Sequence, residues 1–222
     1  MLMDKSHYFI LDLDGTLYRY DKGHGTNFHR SAFHTEVKNR ILQLISERST
    51  LNPNDEYELI KIKYGGDFAK AMLHKYKISK TYYYKRVWNI DPQKYVRRNK
   101  FLRSQLLQIS NRFIIVTGSP KVWALSVLNY LGIQDVVGTA IITYEFRYRK
   151  PSKELFSYAL RKLKARPENT FVIGDDEQID IFPAKSMGIK TLLIGKSNKR
   201  SADFQSNSFG EALTRLRRNG YI

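Results

Sequence analysis

Asp12 and Asp14 stand directly after an apolar run at residues 8–11, and a glycine and a threonine follow them. A buried strand that delivers acids at its carboxyl end is how open α/β sheets build reactive crevices. Because the two aspartates are two residues apart on an extended chain, their side chains point the same way and can face one ligand. The pair can hold a metal ion, or divide the work of a nucleophile and a general acid/base. The alternative interpretation is a strand and a turn with solvated acids.

Later segments also place polar residues after an apolar run or just before a helix. One such run covers residues 113–116 and another covers residues 170–173. The polar residues concerned are Thr117, Gly118, Lys150, Asp175, Asp176 and Asp180. In a doubly wound sheet the carboxyl ends of the strands converge on one crevice. The sequence therefore predicts that these residues meet Asp12 and Asp14 at one site.

The residue types in this predicted site favour phosphoryl transfer. Carboxylates without histidine or cysteine suit a hard, oxygen-preferring cation, magnesium first. Thr117 and the backbone N–H groups that follow it at a helix start suit a phosphoryl oxygen. Lys150 supplies positive charge to balance the charge that develops during transfer. A carboxylate nucleophile beside such groups indicates an aspartyl-phosphate intermediate.

From residue 100 onwards, the pattern of the chain alternates between helices and strands. Strands are predicted at residues 8–11, 113–116, 136–143, 170–173 and 191–194. Five strands that alternate with helices require a parallel sheet covered on both faces. The predicted fold class is therefore α/β, a Rossmann-like doubly wound parallel sheet of about five strands.

Residues 31–99 instead have helical periodicity throughout. About four short helices are expected here, with Ser79 as an N-cap and Pro92 in the first turn of the last helix. Because this block falls between the first two strands, it is predicted to be an all-helical cap inserted over the crevice. The predicted domains are a catalytic core of residues 1–22 and 100–222 and a cap of residues 23–99.

The composition is typical of a globular protein with a basic surface. At 222 residues and 42% hydrophobic content the chain can bury a substantial core. No run approaches the roughly 18 apolar residues of a membrane span, so no membrane partner and a cytoplasmic location are expected. The formal charge of +17 attracts phosphates, from nucleotides to nucleic acid. Because the basic residues are scattered, a small phosphorylated substrate is favoured over nucleic acid.

Taken in order, the motifs resemble those of the haloacid dehalogenase (HAD) superfamily of phosphohydrolases. The matching runs are Asp12-Leu-Asp-Gly-Thr-Leu-Tyr18, Thr117-Gly-Ser and Gly174-Asp-Asp-Glu-Gln-Ile-Asp180. The helical insertion resembles the C1-type cap of that superfamily. With Tyr64-Gly-Gly in the cap, the pattern looks most like the pyrimidine 5′-nucleotidase branch. The resemblance implies a magnesium-dependent phosphomonoester hydrolase with a mobile cap.

The resemblance also implies roles for the residues that contact the phosphoryl group. Asp12 would attack phosphorus and become transiently phosphorylated. Asp14 would protonate the leaving oxygen and then deprotonate the water that clears the intermediate. Thr117 and the amide of Gly118 would bind the phosphoryl group, and Lys150 would bridge nucleophile and phosphate. Arg147, Arg149 and Lys153 are nearby alternatives to Lys150.

A magnesium site is implied by the same motifs. The backbone carbonyl of Asp14 and the side chains of Asp12 and Asp175 would hold the ion, assisted by Asp176 or Asp180. For Asp180 the alternative interpretation is an N-cap of its helix. Pro183, shortly after Asp180, is expected to shift that helix start.

The substrate is expected to be chosen by the cap and the loop at residues 19–28. A nucleoside 5′-monophosphate is the first expectation, followed by sugar phosphates or phosphoglycolate. The cluster of Tyr82, Tyr83, Tyr84 and Trp88 either stacks on a nucleobase or packs the cap helices together. Two alternatives stay open: a phosphatase acting on nucleic-acid ends, and a non-catalytic phosphate- or nucleotide-binding protein on the same fold.

Overall fold

A six-stranded parallel sheet forms the centre of the structure, a computed structural model that describes residues 6–20, 28, 31–196 and 201–222. The strands are β1 (Tyr8–Leu11), β2 (Arg19–Tyr20), β3 (Val96–Arg97), β4 (Phe113–Val116), β5 (Ile141–Ile142), β6 (Thr170–Gly174), β7 (Lys190–Ile194) and β8 (Phe204–Ser206). The order in the sheet is β5-β4-β1-β6-β7-β8, while β2 and β3 form a separate antiparallel pair.

Helices cover both faces of this sheet and make up the inserted block. The helices are α1 (Ala32–Ser46), α2 (Pro53–Tyr64), α3 (Phe68–Tyr76), α4 (Lys80–Trp88), α5 (Leu102–Leu107), α6 (Lys121–Tyr130), α7 (Gln134–Val137), α8 (Lys153–Leu163), α9 (Phe182–Lys185) and α10 (Phe209–Arg218). Short 3₁₀ turns cover Pro92–Lys94 and Pro167–Asn169, and a π-helical turn covers Glu177–Ile181.

The central strands are apolar on both sides because each side is buried. Along β1, Phe9 and Leu11 pack into the layer that contains α5, α6 and α10, whereas Ile10 packs into the layer that contains α8. This alternation has the period of two expected of an extended chain. The predicted α/β fold with a doubly covered parallel sheet is confirmed.

Two segments of the sheet differ from the prediction. The predicted strand at residues 136–143 is instead the short helix α7 followed by the two-residue strand β5, with Gly138 at a positive φ of 53° between them. The last strand, β8, was not predicted, and it lies at the edge of the sheet beside β7. A strand of two or three residues is too short to show a period in the sequence.

Among the described residues, the inserted block contains four helices, α1 to α4, and it lies between β2 and β3. Each helix has a side-chain N-cap, provided by Ser31, Asn52, Asp67 and Ser79. The predicted last helix at Pro92 is only a 3₁₀ turn of three residues, because the chain enters β3 at once. The boundary at residue 23 lies outside the described residues, so the division into core and cap stays a prediction.

The inserted helices and the sheet share one apolar core. Phe33 of α1 stacks on Trp123 of α6, with ring centroids 3.9 Å apart. Trp123 also donates a hydrogen bond to Asp14, so the insertion is anchored close to the predicted site. Within the described ranges, every helix is too short or too polar to cross a lipid bilayer.

Candidate active site

The predicted site residues meet at the carboxyl ends of three neighbouring strands. Asp12 follows β1, Thr117 follows β4 and Asp175 follows β6. Because β4, β1 and β6 are adjacent and parallel, their carboxyl ends lie side by side. Lys150 reaches the same place from the segment before α8, and Asp180 reaches it from the π-helical turn.

Three carboxylates and one ammonium form the buried centre of the site. Carboxylate oxygens of Asp12, Asp175 and Asp180 all lie within 4.8 Å of one another. The Nζ atom of Lys150 lies 2.5 Å from Oδ1 of Asp12 and 2.6 Å from Oδ1 of Asp180. The side chain of Lys150 is only 5% exposed, so these charges interact with little screening by water.

Burial, together with neighbouring negative charge, raises the pKa values of these acids. Burial raises the pKa of Asp12 to about 7, although the charge of Lys150 opposes the change. Burial, with the charges of Asp12 and Asp180, raises the pKa of Asp175 to about 9. Burial also raises the pKa of Asp180. One lysine therefore does not balance three buried carboxylates.

This excess of negative charge fits a divalent cation. Oδ2 of Asp12 is buried, and no described residue donates a hydrogen bond to it. A buried acceptor without a donor is costly, and a cation bound there would remove that cost. All three groups are oxygen ligands of the kind that magnesium prefers.

The surroundings of Asp14 differ from those of the three clustered acids. Its Oδ2 accepts a hydrogen bond from Oγ1 of Thr117 at 2.8 Å, and its Oδ1 accepts one from Nε1 of Trp123 at 3.0 Å. The hydroxyl of Tyr18 also donates to Oδ1, and that of Tyr20 lies 3.4 Å from it. Asp14 is thus held by neutral donors, whereas Asp12 is paired with a cation.

The two candidates for the additional metal ligand, Asp176 and Asp180, have different positions and different partners. Oδ1 of Asp176 accepts hydrogen bonds from the backbone N–H groups of Gln178 and Ile179 at 2.7 and 3.1 Å, so Asp176 is the N-cap. Asp180 lies inside the π-helical turn, 1% exposed, beside Lys150. The N-cap interpretation of Asp180 is wrong, because the turn starts three residues earlier, at Glu177, with Asp176 as its N-cap. Pro183 is the second residue of α9, which begins at Phe182, so the α-helix starts after Asp180 rather than at it.

The two predicted phosphate-binding residues are placed differently. Oγ1 of Thr117 accepts a hydrogen bond from the backbone N–H of Ser119 at 3.0 Å and donates to Asp14. Gly118 is exposed and lines the pocket that contains Asp12 and Asp14. Lys150, not Arg149, is the basic residue in contact with Asp12: Arg149 pairs instead with Asp67.

Four residues next to the acids have no role that the sequence predicts: Tyr18, Tyr20, Trp123 and Gly174. Tyr18 was within the first motif, but only its contact with Asp14 shows what it does. Trp123 is 109 residues from Asp14, and nothing in the sequence links the two. Gly174 precedes Asp175, and a Cβ atom there would overlap the side chain of Asp180. In the sequence, only the glycine between the strand and Asp175 indicates a close approach of another group.

Two adjoining spaces lie over the acids. A pocket of about 280 Å³ contains the acids, and an apolar cavity of about 420 Å³ lies against the inserted helices. Phe28, Trp88 and Gly118 line both spaces. Tyr83 and Tyr84 are 3% and 8% exposed, in agreement with packing of the inserted helices. Tyr83 also lines the cavity, and Trp88 lines both spaces.

A comparison with protein families agrees with this geometry. The haloacid dehalogenase-like hydrolase family matches residues 7–188, which is most of the chain and includes every acid described above. The chain belongs to this family. The finer assignments, to the pyrimidine 5′-nucleotidase branch and to the C1 type of cap, stay predictions.

Individual relatives of this HAD-like hydrolase include phosphatases. A glyceraldehyde 3-phosphate phosphatase of Methanocaldococcus jannaschii is 29% identical over 220 residues, which cover 91% of this chain and 93% of that protein. A ribulose-1,5-bisphosphate 5-phosphatase of Halopiger xanaduensis is 30% identical over 88 residues, which cover 40% of this chain and 37% of that protein. The crystal structure of a HAD phosphatase from Thermococcus onnurineus shares the fold, with a TM-score of 0.65, 18% identity and coverage of 95% and 97%.

Proposed function

We propose that this HAD-like hydrolase is a magnesium-dependent phosphomonoesterase that works through an aspartyl-phosphate intermediate. The observation that carries the proposal is the buried pairing of Lys150 with Asp12, beside Asp175 and Asp180. An ion pair of this kind keeps a carboxylate charged and oriented in a buried pocket, as a nucleophile requires. The names of the two phosphatase relatives support the same reaction class.

In the proposed first step an oxygen of Asp12 attacks phosphorus and the bond from phosphorus to the ester oxygen breaks. The leaving oxygen takes the electron pair of that bond and a proton from Asp14. In the second step Asp14 takes a proton from water, the water oxygen attacks phosphorus, and inorganic phosphate leaves Asp12 as a free carboxylate. Lys150 orients Asp12 and balances charge on the phosphoryl oxygens, and Gly118 offers its amide to one of them.

The hydrogen bonds to Asp14 support its proposed role as acid/base. Donors from Thr117, Trp123 and Tyr18 fix the carboxylate of Asp14 in the pocket that also contains Asp12. The side chains of Asp12, Asp175 and Asp180 and the carbonyl of Asp14 would hold Mg²⁺. When bound, the ion would supply positive charge that neutralises these acids and the phosphoryl group.

The proposal leaves two classes of leaving group. The motif resemblance favours a nucleoside 5′-monophosphate, while the names of the relatives favour a sugar phosphate. Both are small phosphorylated compounds, and both require the same reaction at phosphorus.

The Asp12→Asn variant tests the proposed mechanism. An amide cannot form the acyl-phosphate, so we expect release of phosphate from p-nitrophenyl phosphate to fall by about a thousandfold or more. EDTA should abolish turnover by the parent protein, and added Mg²⁺ should restore it. Turnover that is unaffected by the substitution would refute the mechanism. No turnover by the parent protein, with Mg²⁺ present, would instead favour the non-catalytic binding protein.

A further inference from the structure

Aromatic rings form a large part of the walls of the cavity of about 420 Å³ next to the acids. Tyr57 and Phe68, whose rings stack with centroids 4.6 Å apart, form part of one side. Tyr83 and Tyr144 also line the cavity. These residues offer apolar ring faces to a ligand, together with the hydroxyls of the tyrosines.

The junction between the cavity and the acid pocket is itself aromatic. Phe28 and Trp88 line both spaces, and their rings are nearly parallel, with an interplanar angle of 8°. A phosphoryl group bound at Asp12 would therefore direct its leaving group past these rings. The space beyond them has the size of a pocket for a drug-sized ligand, roughly 300–1,000 Å³.

The charged side chains that line the cavity already have partners. The Nζ atom of Lys38 lies 4.9 Å from the ring centre of Tyr57. Oδ2 of Asp67 accepts a hydrogen bond from Arg149 at 3.0 Å, and Lys61 lies 3.8 Å from Glu58. A three-carbon sugar would leave most of the cavity unfilled, and its hydroxyls would lose water against the ring faces.

We propose that the leaving group of the substrate carries a planar aromatic ring and that this ring binds in the cavity beyond Phe28 and Trp88. The inference rests on the proposed phosphomonoesterase function and narrows it. A nucleoside and a simple aromatic alcohol share the chemistry that the cavity recognises. The same geometry disfavours glyceraldehyde 3-phosphate as a substrate.

Two matched pairs of esters test the inference by hydrolysis. Uridine 5′-monophosphate differs from ribose 5-phosphate by the base, and 2-phenylethyl phosphate differs from ethyl phosphate by the phenyl ring. All four have alkoxide leaving groups, so intrinsic reactivity varies little within a pair. If the ring of the leaving group is buried in the cavity, kcat/KM should be about tenfold to a hundredfold higher for the aromatic member of each pair than for the other member. A higher kcat/KM for the aromatic member of the first pair alone indicates that the site recognises a nucleoside. A higher kcat/KM for the aromatic member of the second pair indicates that it recognises any aromatic ring.

Binding of phosphonates tests the cavity separately from catalysis, because this chemistry does not cleave their carbon–phosphorus bond. Calorimetry with the Mg²⁺-loaded protein should show 2-phenylethylphosphonate bound about tenfold or more tightly than ethylphosphonate. Trp88→Leu should reduce that ratio severalfold, while Trp88→Phe should largely keep it. Tyr82→Leu is the matched control, because Tyr82 is 47% exposed and is not among the residues that line the cavity.

The outcomes separate the inference from the function on which it rests. Tight binding of the aromatic phosphonate without hydrolysis of any ester would support the cavity assignment and overturn the phosphomonoesterase. Hydrolysis of both members of each pair at equal kcat/KM would overturn the inference and leave the phosphomonoesterase intact. A ratio that Trp88→Leu leaves unchanged would also overturn the inference.

Discussion

At the scale of single residues, Asp12 and Asp14 have opposite surroundings although they are two residues apart. Asp12 is paired with Lys150 and lies within a cluster of acids. Asp14 accepts hydrogen bonds from an indole and hydroxyls. This difference is what a division into nucleophile and acid/base requires, because each role needs its own electrostatic environment.

The hydroxyl of Tyr18 is predicted to position Asp14 for proton transfer to the leaving oxygen. With Tyr18→Phe we expect kcat for glycerol 1-phosphate to fall about fivefold to tenfold, as for loss of one hydrogen bond of about 1 kcal/mol. Turnover of p-nitrophenyl phosphate should change much less, because p-nitrophenolate leaves without a proton. The control is Tyr84→Phe, at a buried tyrosine whose ring contacts are with Tyr83 and Tyr144. Equal losses on both substrates would contradict a role through Asp14.

The raised pKa values of the clustered acids predict how pH affects the stability of metal-free protein. The pKa of Asp12 is about 7 in the folded protein, whereas in an unfolded chain it is about 4. Between these values the folded state keeps a proton that the unfolded state has released, so stability falls as pH rises through this window. Because the pKa of Asp175 is about 9, the stability of the metal-free protein continues to fall up to about that pH.

Thermal unfolding in EDTA should therefore give a lower Tm at about pH 8 than at about pH 5. Added Mg²⁺ should raise Tm more at the higher pH, where the acids have lost their protons. Asp175→Asn removes one of the acids with a raised pKa, so Tm should then depend less on pH. If Mg²⁺ raises Tm equally at both pH values, the clustered acids do not bind the ion as predicted.

At the scale of elements, one ion pair connects the core to the inserted helices. Arg149 stands next to Lys150, and its guanidinium donates to Oδ2 of Asp67, the N-cap residue of α3. The same guanidinium lies 4.0 Å from the ring centre of Tyr144 and donates to its hydroxyl. The segment that carries Lys150 is thus attached to α3, whose first residues line the apolar cavity.

Removal of this ion pair is predicted to loosen the inserted helices over the site. Because Arg149 is 37% exposed, solvent limits the effect to about 1 kcal/mol or less. We expect Arg149→Gln to raise KM up to about fivefold and added salt to reduce the difference. Arg147→Gln is the matched control, since Arg147 stacks on Tyr148 instead.

A double-mutant cycle distinguishes this contact from a general loss of charge. Asp67→Asn should raise KM by a similar factor, and the double variant should add little to either single change. If the two effects on KM add fully, the ion pair does not couple the core to α3.

At the scale of the whole molecule, the formal charge of +17 is the most unusual property of the chain. Its basic residues are spread over both domains predicted from the sequence, and several are neutralised locally. Arg103 makes two contacts with Asp135, at 2.6 and 2.7 Å, and Arg86 lies 2.8 Å from Glu47. The pocket itself is lined by acids, which disfavours approach of a polyanion.

Bulk nucleic acid is accordingly predicted not to compete with small substrates. Hydrolysis of p-nitrophenyl phosphate at low salt should change by less than about twofold when duplex DNA or RNA is added, because scattered surface charge binds nucleic acid weakly and away from the site. A neutral polymer at equal mass concentration serves as the control. Strong inhibition that salt relieves would instead favour the phosphatase acting on nucleic-acid ends.

Several features followed from the amino-acid sequence alone. The strand periodicity and the polar residues after each apolar run predicted the α/β class, the helical insertion and the convergence of Asp12, Lys150 and Asp175. These features are readable because residue type and spacing along a strand or helix are local properties. The short strands β5 and β8 were missed for the same reason, since two or three residues carry no period.

Tertiary structure decided the features that depend on contacts between distant segments. It placed Asp180, rather than Asp176, beside Lys150, because the chain forms a π-helical turn after β6. It also brought Trp123 to Asp14 across 109 residues and opened an aromatic cavity next to the acids. Such contacts arise from how helices and strands pack, which spacing along one segment does not encode. The sequence therefore determined the type of chemistry, whereas the folded chain determined which side chains surround each acid and what space the leaving group can fill.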